Sequence, residues 1–379
     1  MPDKKHLLVL TSSYPSNIND GRAAAGFFVK DFVKELSNEN EVTVLTQHTG
    51  EGPDEIKETQ YSVIRFPWLS KNRPLSTLCL PKDILPILSV MFSGITSSIK
   101  QIKEKKTDHI IAMWAIPCGI WALVINFFFN TPYTIWCLGS DIWNYQNSFL
   151  SRYILVHVLK NAHTVYADGF ELCGTIKDLA KIDCTYLPSS RHLERPTKDH
   201  ILKPDGVRHY LFVGRYHPNK GPDILINAIN LLSEESRKKI HLHMFGGGDL
   251  INELKQLIKT FHLEDTITLG DFIGESELTG VLHATDAIVI PSRKDSIPLM
   301  LSAALKVNKT IIATDVGDTG FLLKKYLAGR VTPAESAKSF ALAIEQDLLS
   351  PNEFIKGQSD LLNFLDLSNS AKRITEKMT

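Results

Sequence analysis

Arg215 and Lys220 lie in one run, Phe212-Val213-Gly214-Arg215-Tyr216-His217-Pro218-Asn219-Lys220-Gly221. The residues before them, His209 to Val213, are short, apolar and closed by Gly214, as a buried strand is. The residues after them, Asp223 to Leu232, carry apolar side chains at helical spacing. Two cations therefore occupy a strand-to-helix turn, where the amides of a helix start also favour an anion. A phosphate or diphosphate is the anion that fits. A solvated basic turn accounts for the same two residues equally well.

Three further loops could join them. Gly246-Gly247-Gly248-Asp249 follows an apolar strand and lets a ligand approach the backbone closely, though a simple tight turn reads the same way. Pro291-Ser292-Arg293-Lys294-Asp295-Ser296-Ile297-Pro298 brings a carboxylate, a hydroxyl and a helix start together; Asp295 or Ser296 could equally cap that helix. Asp20-Gly21-Arg22-Ala23-Ala24-Ala25-Gly26 is small enough for close approach but lacks the GxGxxG spacing, which disfavours a dinucleotide cofactor. His241 and His243 share a strand face beside Phe245 and read as packing rather than ligation, so no metal site is expected.

These loops need a scaffold, and strands alternate with helices almost throughout. The pattern predicts strands at His6–Thr11, Glu41–Thr46, Tyr61–Phe66, Ile110–Trp114, Tyr133–Leu138 and Thr164–Ala167. It restarts at His209–Val213 and continues with Ile240–Phe245, Thr266–Leu269, Ala287–Ile290 and Thr310–Ala313. Helices are predicted at Gly26–Leu36, Pro81–Lys105, Ile120–Phe129 and Phe149–Lys160. The uncharged run Ile110 to Phe129 reaches the roughly 20 residues that cross a bilayer, but Pro117-Cys118-Gly119 divides it into strand, turn and buried helix. The expected class is α/β, with two Rossmann-like doubly wound parallel-sheet domains facing across a cleft. Domain limits are expected at 1–190 and 207–350, with a Pro-containing polar linker at 191–206. Residues 351–379 form a helical tail placed to pack back on the first domain. In open parallel sheets, ligands bind at the carboxyl ends of strands.

Size and composition narrow the class. A chain of 379 residues exceeds what one growing core holds. Apolar residues at 43% and charged residues at 22% suit a globular protein. Lys+Arg 42 balances Asp+Glu 42, which argues against nucleic acid as a partner. Cys79, Cys118, Cys137, Cys173 and Cys184 are odd in number and lack CxxC spacing, so a reducing, cytoplasmic setting is expected, without zinc or a disulfide framework. No signal-peptide cleavage pattern follows Met1. The basic stretch Lys100 to Lys106 after Ile84 to Ile99 reads first as an ordinary amphipathic helix, and second as a peripheral contact with the inner face of a membrane.

In this order the motifs resemble the retaining GT-B glycosyltransferases of family 4. The resemblance runs from Tyr210 to Gly320 through Val213 to Gly221, Gly246 to Gly248, Leu269-Gly270, Ala284-Thr285-Asp286-Ala287, Val289 to Pro298 and Thr314 to Asp318. Thr11-Ser12-Ser13-Tyr14-Pro15, Gly26 to Val29, Trp114 to Gly119 and Leu138 to Asp141 look like the looser N-terminal half. The resemblance implies sugar transfer from a nucleotide-diphosphate sugar to an acceptor hydroxyl, with retention and without a metal or other cofactor. It implies catalytic roles for Arg215, Lys220 and Asp295. Donor contacts would come from Gly26, Gly246, Gly247, Ser296, Ile297, Pro298, Leu299, Ser302 and Ala303. On the acceptor side it implies Asp141 and Trp114, with a glycan or lipid-linked acceptor.

The family pattern places two glutamates eight positions apart. Asp295 holds the first position and Ala303 the second, and alanine cannot hold ribose hydroxyls. A missing charge-assisted hydrogen bond costs about 1.5–3 kcal/mol, roughly tenfold to a hundredfold in affinity. A catalytically silent homologue is therefore the alternative function. The linker also has Pro188-Ser189-Ser190 where the family has a Pro-Asn-Gly turn, and Leu138 stands where it often has histidine.

Overall fold

A computed structural model describes residues 4–16, 24–49, 54–70, 75, 78–79, 81–196, 202 and 206–378. The chain divides into two units: one takes the residues up to Ser189 and regains the chain from Leu367, and the other holds Ser190–Asp366.

The first unit is built on β1 (His6–Leu10), β2 (Glu41–Gln47), β3 (Glu55–Lys57), β4 (Tyr61–Phe66), β5 (His109–Met113), β6 (Tyr133–Cys137), β7 (Thr164–Ala167) and β8 (Thr185–Tyr186). Their order across the sheet is β3-β4-β2-β1-β5-β6-β7-β8. The described pairings are parallel except that of β3 with β4. β1 is buried along its whole length, with Leu8 opposite Thr43 on one side and Ile110 on the other. A central strand covered on both faces needs a continuous apolar run, and Leu7-Leu8-Val9-Leu10 supplies it. Helix Ala24–Ser37 packs with the chain-terminal helix Leu367–Glu376. Phe28 and Phe32 meet the Trp136 ring edge-on, with centroids 5.0 and 4.9 Å away. Helices Ile84–Glu104, Cys118–Phe129, Phe149–Lys160 and Phe170–Ala180 pack in sequence against one another.

The second unit has β9 (Arg208–Val213), β10 (Ile240–Phe245), β11 (Ile267–Gly270), β12 (Ala287–Ile290), β13 (Thr310–Thr314) and β14 (Arg330–Thr332). All pair in parallel, in the order β11-β10-β9-β12-β13-β14. The chain steps outward from β9 through β10 to β11, then returns to the other side of β9 and steps outward again from β12. The order reverses between β9 and β12, and the loops leaving these strands part at that point. Asp347, fully buried on helix Ala337–Leu349, accepts from Arg208 Nε at 2.7 Å and from the Tyr210 hydroxyl at 2.8 Å. This network fixes the helix against the start of β9.

Of the sequence-predicted elements, β4, β7, β10 and β12 have the predicted limits, β5 and β11 are displaced by one residue at both ends, and the other predicted strands differ by one residue at one end. The run from Ile110 to Phe129 is β5 followed by helix Cys118–Phe129. Among the described residues, no helix is long and apolar enough to cross a membrane.

Candidate active site

The turn after β9 carries Arg215 and Lys220 at the point where strand order reverses in the second unit. Arg215 is exposed, and its guanidinium makes no hydrogen bond among the described residues. Lys220 ends a short 3-10 turn, Pro218–Lys220, and its ammonium is paired with the Asp295 carboxylate on the loop after β12. Ser292 Oγ also donates to Asp295, at 3.2 Å. His217, between the two cations, is held below its ordinary pKa by burial and then by the charge of Arg215, against a pull from Asp249, with Lys220 adding a lesser push downward. One imidazole thus feels both cations, and it stays neutral at neutral pH.

Glycine makes this cluster possible. Gly221 has φ 63°, and a side chain there would collide with the Pro291 carbonyl oxygen. Gly317 has φ 53°, and a side chain there would strike the Asp295 carbonyl. The loops after β9, β12 and β13 therefore close on one another through backbone contact. The glycine loop after β10 joins them. Gly247 O accepts from Tyr216 N–H at 2.9 Å, and a Cβ on Gly248 would lie 2.6 Å from Tyr216 O. The sequence-predicted residues Gly246 and Gly247 thus stand against the Arg215 turn, on the strand neighbouring β9.

Arg293 plays a part the sequence did not reveal. Its guanidinium grips both oxygens of Asp223 at 2.8 and 2.6 Å and donates to Pro218 O at 3.0 Å. Arg293 and Lys294 also donate their N–H groups to Asn219 O, at 2.8 and 3.1 Å. These bonds fasten the loop after β12 onto the turn that holds Lys220. Ser296 O accepts from Asp318 N–H at 3.1 Å, whereas Ser296 Oγ is buried with no hydrogen-bond partner among the described residues. Ile297 is buried, Pro298 caps helix Leu299–Lys306, and Leu299 is half-buried in its first turn.

Ser302 and Ala303 lie deeper. Ala303 is fully buried in an apolar cluster with Leu301, Leu305 and Leu323. Ser302 Oγ donates to Leu299 O at 2.9 Å and accepts from Arg191 N–H at 3.3 Å. Arg191, read from sequence as the start of a polar linker, is itself buried and pairs with the buried Glu275. Its carbonyl accepts from Lys306 Nζ at 2.5 Å. Nothing in the spacing of these residues signals that cluster.

In the first unit, Trp114 and Asp141 follow neighbouring strands β5 and β6. Trp114 is half-buried with φ 70°, a left-handed backbone that bulky side chains rarely adopt. Asp141 is 2% exposed. Its carboxylate accepts from Ala115 N–H at 2.7 Å and from Leu138 N–H at 3.1 Å, tying the two loops together. Burial pushes its pKa up to about 6, against those backbone donors. Gly26 lies in helix Ala24–Ser37, and a Cβ there would come within 3.0 Å of Pro15 N and Tyr14 Cα. Residues Asp20 to Ala23 of the predicted small loop lie outside the described residues. His241 and His243 pack with His209, and among the described residues no group of three or more His, Cys, Asp or Glu side chains could hold a metal ion.

Two parallel-sheet α/β units of this kind define the GT-B class. Sucrose-phosphate synthase from Thermosynechococcus elongatus superposes with a TM-score of 0.78 over 98% of both chains at 17% identity. Anabaena HepE in complex with UDP-glucose does so with a TM-score of 0.70 over 98% of both chains at 15% identity. The chain has the GT-B fold, and residues 194–357 match the family model of glycosyl transferases group 1. Similar curated proteins include TuaC of Bacillus subtilis, a glycosyltransferase named for teichuronic acid biosynthesis. It is 28% identical over 262 residues, 66% of this chain and 64% of that protein. The D-inositol 3-phosphate glycosyltransferase of Pseudarthrobacter chlorophenolicus is 29% identical over 165 residues, 42% of this chain and 38% of that protein. The matched stretch is thus under two thirds of the length of either relative.

Proposed function

We propose that the chain is a retaining glycosyltransferase. It moves a sugar from a nucleotide-diphosphate sugar to an acceptor hydroxyl, in the synthesis of a surface polysaccharide or glycolipid. The observation that carries this reading is the exposed Arg215 guanidinium beside Lys220, at the switch point of a sheet whose neighbouring loops are closed by glycine. Cleavage of the donor builds negative charge on the departing diphosphate. Preplaced cations stabilise that charge more in the transition state than in the ground state. The Ser296 hydroxyl, without a partner among the described residues, and the Asp295 carboxylate supply donor and acceptor groups for sugar hydroxyls. HepE, of the same fold, is complexed with UDP-glucose, which supports a donor of this class.

The sugar passes through an oxocarbenium-like state. In same-face attack the leaving phosphate takes the acceptor proton, so no side chain is assigned as a nucleophile. Trp114 and Asp141 support an acceptor position in the first unit: a strained aromatic residue and a buried carboxylate sit on adjoining loops. No divalent metal is needed, and chelator leaves transfer unchanged.

Calorimetric titration with UDP, GDP and their sugars, followed by turnover against each donor, tests the reading. Binding of one nucleotide, weakened by Arg215→Ala, is the expected result. No binding at millimolar nucleotide would sink it. The second reading is a catalytically silent homologue, and the buried Ala303 favours it, since that position offers no carboxylate to a ribose. Nucleotide binding without hydrolysis or transfer would select that reading.

A further inference from the structure

All five cysteines lie in the first unit, and the fold treats them differently. Cys118 and Cys137 are fully buried, and burial above all pushes both thiols well over their ordinary range. Cys79 is exposed. Cys173 and Cys184 are half-buried, and the Cys184 thiol donates to Cys173 Sγ at 3.5 Å. Two thiols in contact, each within reach of solvent, are what a reversible disulfide needs.

The elements explain how the two meet. Cys173 stands near the start of helix Phe170–Ala180, where its N–H donates to Gly169 O at 2.9 Å. The helix ends at Lys181 in a left-handed cap (φ 55°), and the chain turns there so that Cys184 immediately precedes β8. β8 is an edge strand of two residues, paired with β7 alone among the described strands. Its far end is anchored. Tyr186 stacks on Phe170 with centroids 3.9 Å apart, and Leu187 O accepts from Trp136 Nε1 at 3.1 Å. Its near end is where the sulfurs touch. The chain then runs directly to Ser189, at which the first unit gives way to the second.

The two thiols are not equivalent. Cys184 keeps its proton: the bond it donates to Cys173, and then burial, hold its thiol above the ordinary range. Cys173 is the acceptor in that bond, and the amides of the helix start favour negative charge on a nearby sulfur. Cys173 is therefore the attacking thiolate and Cys184 the resolving thiol.

We propose that Cys173 and Cys184 are a reversible thiol–disulfide pair that reacts with low-molecular-weight disulfides and, once oxidised, staples helix Phe170–Ala180 to β8. The Cys173 thiolate attacks one sulfur of the small disulfide, forming a mixed disulfide and displacing one small thiolate. Cys184 then gives its proton to solvent and attacks the Cys173 sulfur, and the second small thiolate leaves. The protein thiols lose two electrons and two protons, and the small disulfide gains them as two thiols. The sulfurs close from contact to about 2.05 Å, a movement taken up by the short segment after Lys181. In a reducing setting the pair rests as two thiols and closes only under oxidation. None of this rests on the glycosyl-transfer reading.

The full chain, reduced and then freed of reductant, is incubated with oxidised glutathione, and its disulfides are mapped by mass spectrometry of unreduced peptides. The peptides carrying Cys173 and Cys184 should be joined, two hydrogens lighter than the pair of thiols, and dithiothreitol should separate them. Closing a short loop in a unit of this size should raise the thermal midpoint by about 5 °C. Cys184→Ser should abolish that rise and hold glutathione on Cys173 instead. Cys79→Ser should leave both the link and the rise intact. No link under excess oxidised glutathione, or a link from Cys173 to Cys137 in its place, would overturn the pairing. A link that leaves the midpoint where it was would overturn the staple. Glutathione on Cys184 in Cys173→Ser, arriving as fast as on Cys173 in Cys184→Ser, would overturn the order of attack. Mapping uses the unaltered chain, so the pairing is decided even where a serine variant does not fold.

Discussion

The Lys220 ammonium and the Asp295 carboxylate, 75 residues apart in the chain, form an ion pair where the second sheet reverses its strand order. The pair cancels its own charge. The net positive charge of the turn therefore resides on Arg215, whose guanidinium faces solvent.

A division of labour follows for the three side chains. Arg215→Ala removes an exposed, charged donor and should cost about 1.5–3 kcal/mol of UDP affinity. Asp295→Asn releases Lys220 to the diphosphate, so UDP should bind more tightly while turnover of the UDP-sugar falls. Calorimetry on UDP and initial rates on the sugar nucleotide separate the two effects. Weaker UDP binding in Asp295→Asn would mean that the carboxylate positions Lys220 rather than neutralising it.

Asp141 gives the first unit a pH dependence of its own. Its folded pKa, about 6, lies above the ordinary carboxylate value because burial disfavours the charge. A raised acid pKa contributes stability that is full below the unfolded value of about 3.9 and is lost as pH rises through the folded value. Function should run the other way. Above that pH the carboxylate accepts from both Ala115 and Leu138 and holds the two loops together. Activity should therefore show an acid limb near pH 6, and Asp141→Asn should flatten it. An unchanged limb in that variant would assign the ionisation to another group.

Legibility in the sequence tracked burial. β12 keeps its predicted limits because a strand covered on both faces reads as an unbroken apolar run, Ala287-Ile288-Val289-Ile290. β3, β8 and β14 escaped, since Glu55-Ile56-Lys57, Thr185-Tyr186 and Arg330-Val331-Thr332 are short and lack an apolar period. Motif residues placed Arg215, Lys220 and Asp295 on loops, but no local pattern shows that two of them pair. Arg293 stood inside a recognised motif, yet its grip on Asp223 is a long-range contact that periodicity cannot show. Arg191 looked like linker because its neighbours are polar, and its partner Glu275 lies 84 residues away.

The histidines of the second unit make it acid-labile. His209 and His243 share a hydrogen bond of 3.0 Å, and the His241 and His243 rings lie 4.7 Å apart. Burial, and then the neighbouring histidines, hold His243 down to about 4 and lower His241. The unfolded chain takes up protons near pH 6.5, before the folded one does, so stability falls as pH drops from about 6.5 toward 4. Chemical denaturation between pH 7 and pH 4.5 should show a declining midpoint. His243→Asn should blunt the decline; an equal decline in that variant would place the lability elsewhere.

Arg191 and Glu275 offer a test of what a buried ion pair contributes. Both are buried, and the guanidinium Nη2 contacts both carboxylate oxygens, whereas Nε is buried without a partner among the described residues. Two desolvated charges repay their hydration cost only while both are present. Glu275→Leu or Arg191→Met alone should destabilise the second unit by about 3–5 kcal/mol, because each leaves a buried charged group without its partner. Replacing both, as Arg191→Met with Glu275→Leu, should recover most of that loss, since apolar side chains of similar volume suit the site. Denaturant midpoints of the four proteins form a double-mutant cycle. Additive losses would show that the pair is not coupled, and that Arg191 is held by its backbone bonds to Ser302 and Lys306 instead.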